Sequence, residues 1–189
     1  YGFSFLNPGK EKGKTKYLDL QTHLYGTKWR FDIFGQFYKG YFIFPRGYGS
    51  PDINTFYKRP DLNVKEIGIS AYHIYNSRRF SYRAAVLQSE WQKKSAGSFL
   101  LGGSITYGKI RGDSSMVPAA LAANYPQKNI EQVRYIEVGP GAGYAYTLVW
   151  KENWFITASA TLSLDMGFVE ETIQGINKAT RQISPNFMF

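Results

Sequence analysis

Period two is what most constrains this chain: apolar residues recur at alternate positions in segment after segment, and helical periodicity is nearly absent. Residues 15–25 place Leu18, Leu20, Thr22 and Leu24 on one face and Asp19, Gln21 and His23 on the other. Residues 29–43 set Trp29, Phe31, Ile33, Phe37 and Tyr41 against Arg30, Asp32, Phe34, Gln36 and Tyr38. Further strands are expected at about 64–76, 80–90, 96–110, 132–150 and 154–168, with Tyr1–Leu6 as another and the final SPNFMF as a strand cut short. Tight turns fall at 26–28, 77–79 and 151–153, and long loops at 44–63 and 111–131. The second loop carries the one helical signal, Ala119–Ala123 behind Pro118. Eight or nine strands without crossover helices predict one all-β domain over 1–189, an antiparallel up-and-down sheet.

The residues sharing each strand with the apolar face indicate which solvent surrounds it. In water the second face of such a strand carries Lys, Glu and Asp. Here it is Phe155, Thr157, Ser159, Thr161 and Ser163 in one strand, and Gly139, Gly141, Gly143, Ala145 and Thr147 in its partner. Small, hydroxylated, uncharged residues suit a crowded barrel interior. The opposite faces, with Val138, Leu148, Ile156 and Leu162, suit lipid. Aromatics stand near strand ends (Tyr25, Trp29, Tyr41, Tyr75, Phe80, Trp150, Trp154), where interfacial girdles belong. The strands also exceed the ~9–11 residues that a tilted strand needs to cross the hydrocarbon. A mean hydropathy below zero is no objection, since only half of each strand meets lipid. The expectation is a transmembrane β-barrel, with a soluble β-barrel or sandwich as the alternative. No run of 18 apolar residues offers a transmembrane helix, and the absence of Cys excludes disulfide scaffolds and thiolate sites. Opening at Tyr1 inside an apolar run, the chain reads as a mature form or a fragment.

The runs KYLDLQTHLYGTKWRFDIFGQFYKGYF (16–42), RPDLNV (59–64), RRFSYRAAVLQSEWQKKSAGSFLLGGSITYG (78–108) and GYAYTLVWKENWF (143–155) resemble one family. It is a group of uncharacterised Bacteroidetes outer-membrane β-barrels known as the domain of unknown function 4421. The resemblance covers nearly the whole chain and is most specific at 78–108. It implies the bacterial outer membrane and a longer chain with a signal peptide and further strands. This chain would then be part of a barrel of about ten to twelve strands. The resemblance carries no catalytic motif.

Candidate chemistry is sparse. His23 and His73 are the two imidazoles. His23 shares a face with Asp19 and could serve an acyl-chain hydrolase or transferase, but no G-x-S-x-G or second converging motif accompanies it. Without H-E-x-x-H or clustered carboxylates, no metal, cofactor or catalytic residue is expected. Asp19, Asp32, Glu66, Glu137, Arg30 and Arg83 fall on faces turned from lipid. With His23 they are expected to form a polar network filling the lumen; the alternative is a charged constriction that selects solutes. GPGAG at 139–143 reads as close backbone packing and not as a phosphate loop.

The net charge of +9 is scattered over loops and strand ends without an aromatic-interleaved stripe, which argues against nucleic acid. At the rims, Lys and Arg would meet the phosphates of the bilayer and of lipopolysaccharide. The expected role is non-enzymatic, structural or accessory in an envelope assembly with other envelope proteins as partners; the alternatives are a small-solute pore and a soluble binding module. One conflict arises. Strand alternation puts the turns at 26–28 and 77–79 on the same side as the long 111–131 loop, and the tight turn at 151–153 opposite.

Overall fold

Alternation at this density leaves every second side chain on one surface, and the chain satisfies its backbone by pairing each strand with the next. The computed structural model describes residues 15–125, 128–151 and 153–188. The strands are β1 (Lys16–Tyr25), β2 (Trp29–Ile43), β3 (Tyr57–Ile74), β4 (Ala96–Arg111), β5 (Ile130–Trp150), β6 (Trp154–Ile173) and β7 (Ile176–Met188). All neighbours are antiparallel, and the order in the sheet is the order in the chain. The sheet is not closed: among the described residues β1 and β7 each pair along one edge only. The all-β up-and-down expectation holds, and barrel closure is absent from this sheet. The strand expected at Tyr1–Leu6 lies outside the described residues.

Two elements depart from the alternation. β7 is a full strand of 13 residues where the sequence suggested only its end. It is entered by a two-residue turn with Gln174 and Gly175 both at positive φ, 49° and 79°, the conformation that matches hairpin twist. Its Asn177 and Arg181 interrupt the apolar face that marks the other strands.

The larger correction concerns 80–90, which is no strand. Residues 75–95 connect β3 to β4 and fold onto the concave side of the sheet, with a short π-helical turn at Arg83–Leu87. Phe80 and Tyr82 mimic the alternation of a strand. Both instead bury against Tyr72, Ile74, Leu100 and Ala145 in a hydrophobic core cluster. Local bonds replace the ladder. The Ser81 hydroxyl accepts from the Ala84 N–H and donates to Glu90 at 2.6 Å, while the Ser81 N–H reaches the Gln92 side chain at 3.0 Å. The expected turn at 77–79 belongs to this connection.

Removing that strand resolves the conflict of sides. The tight turns at 26–28 and after Trp150 share one rim with 75–95. The connections from β2 to β3 and from β4 to β5 share the other, with the Gln174–Gly175 turn. Loop boundaries move inward because β3 already begins at Tyr57, and the helical signal appears as a 3₁₀ helix over Ala119–Asn124.

The sheet exposes its apolar face and buries much of its hydroxylated one. Ile156 is 73% exposed, Trp154 71% and Phe99 70%, all on the convex face. On the concave face Ser98 and Thr147 are 1% exposed and Thr161 6%. Burial normally favours the opposite arrangement, and monomers rarely expose apolar patches beyond a few hundred Å².

Candidate functional site: the polar concave face

Inward side chains fall on rungs that run across the sheet. Asp32, Ser70, Ser104 and Gly139 lie on one rung, and the flanking pairs Val138↔Met166 and Gly141↔Ser163 put Asp165 at its far end. Asp32 is the hub. Arg30 Nε donates to its Oδ2 at 2.8 Å and the guanidinium Nη2 lies at the same distance. The His23 ring meets Oδ1 at 2.7 Å from β1, and the Ser70 hydroxyl donates to Oδ2 at 3.1 Å from β3. Arg30 itself is 8% exposed, its guanidinium 5.8 Å from the ring centres of both Tyr72 and Tyr82. The inward-folded 75–95 segment therefore supplies part of the cover that buries this ion pair.

Three expected members join smaller groupings. Asp19 accepts from Tyr38 at 3.1 Å and more distantly from Gln21 and Gln36, in a partly open setting. Glu66 and Glu137 both approach the Tyr135 phenol, and Glu137 takes a long 3.5 Å bond from Gln182. Neither forms an ion pair among the described residues.

Arg83 is the member that does not belong. It stands on the π-helical turn and pairs with Glu90 at 3.0 Å, both side chains nearly two-fifths exposed. The expected strand would have turned it inward; the folded segment turns it to the rim. A half-exposed pair contributes little, so Arg83→Ala should change the unfolding free energy by less than about 1 kcal/mol. A denaturant titration checks this, and a loss of several kcal/mol would mean that Arg83 reaches the interior network after all.

Asp165 was missed by reading the inner face of this strand only as far as Ser163; one more step of the same alternation reaches it. It is 8% exposed and accepts from Asn186 of β7 at 3.3 Å through Oδ2, while Oδ1 is buried with no hydrogen-bond partner. Its carboxylate occupies the space above Gly139, where an added Cβ would fall 1.6 Å from Oδ1. The close packing expected of GPGAG is thus what places this acid.

Among the described residues neither histidine ring meets a serine hydroxyl. The Ser70 hydroxyl is turned to a carboxylate, not to a histidine ring. His73 lies on the convex face with ring centres of Trp29 and Tyr75 each 5.0 Å away, so the two imidazoles are on opposite sides of the sheet. No three His, Asp or Glu side chains converge as metal ligands among the described residues.

The loop rim is organised by a separate buried charge. Arg59 is 5% exposed and binds Asp61 at 2.8 Å and the backbone carbonyls of Ser114 and Ser115, pinning this part of the connection over the start of β3. Asp61 lies beyond the last β3–β4 pair, Asn63↔Arg111. The Arg59 hydrogen bond, helped by the Asp113 N–H, holds its carboxyl well below the usual carboxylate range.

Geometry defines the class: an open, up-and-down antiparallel sheet, apolar and exposed on one face, polar and acidic on the other. The family model described as "Domain of unknown function (DUF4421)" matches residues 1–189, and the chain belongs to that family. No curated protein and no solved structure matches it.

Proposed function

We propose that this chain is wall and partial filling of a transmembrane β-barrel in a Bacteroidetes outer membrane, with a non-enzymatic role, structural or accessory to an envelope assembly. The observation that carries the reading is the reversed polarity of the sheet, since only a non-aqueous surrounding makes the exposed convex face favourable. Its border supports it too. One convex row reads Ile67, Tyr107, Ile136, Phe168, and the next reads Lys65, Lys109, Arg134, Glu170. Apolar and aromatic groups giving way to charge is the pattern of a lipid interface, where Lys and Arg meet phosphate groups of lipid or lipopolysaccharide. Further strands would add at the free edges of β1 and β7, because an open edge cannot face hydrocarbon. The apolar cluster around Phe80 obstructs one end of the concave face, which favours a filled barrel over an open pore.

Leu101, Ile105, Leu148, Ile156 and Leu162 are all at least 48% exposed on the convex face and should meet lipid. Arg at any of them is expected to cost about 2–4 kcal/mol near the bilayer midplane and much less near an interface. Cysteine variants probed with lipid-phase and aqueous reagents test the same point. Preferential aqueous labelling at most of these positions would reject the barrel.

A further inference from the structure

Lys39, Lys65, Lys109, Arg111 and Arg134 crowd one part of the convex face. Three of them are direct neighbours across β3, β4 and β5, in the pairs Lys65↔Lys109 and Lys109↔Arg134. Lys39 and Arg111 lie one convex row nearer the rim, on either side of Asn63. Like charges directly opposite on paired strands destabilise a sheet, and here two such pairs stand side by side. Lys109 is within electrostatic reach of Lys65, Arg111 and Arg134 together. Glu170 closes the row 3.9 Å from Arg134, and among the described residues the other four cations form no ion pair. An anion that touches several of them at once offsets this repulsion. The next row toward the sheet centre is apolar, and there Gly35 leaves a groove of about 560 Å³ between Leu20, Phe37, Ile67 and Tyr107. Lys65 and Lys109 adjoin that groove through Ile67 and Tyr107 on their own strands.

We propose that this patch binds the phosphate groups of one lipopolysaccharide molecule, with an acyl chain lying in the groove over Gly35. The inference deepens the membrane reading and rests on it. Rows about 6.8 Å apart on strands about 4.8 Å apart spread the cations over an area that suits phosphates on one head group. Arg111 and Arg134 can grip phosphate oxygens in pairs, whereas the lysines act as point charges. The rim decides the leaflet. Both rows lie toward the end of the sheet that carries the β2–β3 and β4–β5 connections. The opposite end carries two tight turns and residues 75–95, which fold into the concave side instead of projecting. Outer-membrane barrels keep short turns periplasmic and longer loops outside, which puts the patch in the outer leaflet. Lipopolysaccharide is the phosphate-bearing lipid of that leaflet. Its acyl chains and phosphates share one head group, as the groove and the cations share one face.

Fluorescent diphosphoryl lipid A, titrated against the protein in mixed detergent micelles, tests it. Saturable binding is expected, and dephosphorylated lipid A with the same acyl chains should bind far more weakly. Lys65→Gln combined with Lys109→Gln should weaken binding by about tenfold or more, because each cation near an anionic lipid adds attraction. Lys65→Arg combined with Lys109→Arg keeps the charge and should keep the binding. Lys93→Gln combined with Lys94→Gln removes the same charge from the opposite rim and should leave binding unchanged. Equal loss from the two Gln pairs, no loss from the first, or equally tight binding of phosphatidylglycerol would each overturn the proposal. Aqueous labelling at Leu101, Ile105, Leu148, Ile156 and Leu162 would reject the membrane reading and this inference with it. Lipid-phase labelling there without lipid A binding would reject this inference alone.

Discussion

Arg30→Ala is expected to lower the unfolding free energy by about 3 kcal/mol, the lower end of the cost of breaking a buried ion pair. The substitution leaves the Asp32 carboxylate on a face where Arg30 is 8% exposed, and opens the space between Tyr72 and Tyr82. His23 and Ser70 still donate to Asp32, which keeps the cost from rising further. Losses in Arg30→Ala and Asp32→Ala should be strongly non-additive, because each removes the same pair. Denaturant titration of the two variants and the double variant supplies the numbers. A loss below about 1 kcal/mol for Arg30→Ala would mean that water solvates the orphaned acid, and an open, hydrated lumen would replace the filled one. Single-channel current on that variant would then show altered ion selectivity.

Gly102→Ala should cost about 3 kcal/mol or more and loosen the β3–β4 seam, because overpacking against backbone has no inexpensive relief. A Cβ at this inward position would sit 1.9 Å from the Ala71 carbonyl oxygen and 2.7 Å from the Tyr72 Cα. No side-chain rotation clears those atoms; the strands themselves must separate. Gly35→Ala is the control, since its nearest new neighbour is the edge of the Phe37 ring at 3.3 Å, which can turn aside. Hydrogen exchange of the β3 and β4 amides distinguishes the two. Comparable protection in both variants would show that the seam tolerates a methyl group and that the strand spacing is set elsewhere.

Much of this was legible in the residues. β1, β2, β4 and β5 were expected within two residues of their observed bounds, and β6 from its first residue though it runs on to Ile173, because a half-buried strand must alternate. The faces were legible with them: Asp19, His23, Arg30, Asp32, Glu66 and Glu137 all come from positions whose parity points inward. The stretch 80–90 failed for a reason that parity cannot reveal. Phe80 and Tyr82 alternate, but burying both in one cluster beside Ala145 is worth more than continuing a ladder, and only packing makes that comparison. Arg83 went wrong with it, carried to the rim and to Glu90. Asp165 was open to sequence reading and was lost by stopping the alternation two residues early.

The sequence by itself determined the all-β class, the strand order and which side chains share a surface, since these follow from a period of two and short connections between consecutive strands. Only the tertiary structure decided which inward groups meet. Arg30 and Asp32 lie two apart and were neighbours in any strand, but His23 and Ser70 reach Asp32 through register with β1 and β3, and register is a property of paired strands. The same holds for the unpaired oxygen of Asp165, whose burial depends on a glycine in the next strand being 26 residues earlier in the chain, at Gly139. Contacts of that kind arise from distances in the folded sheet, which local alternation does not encode.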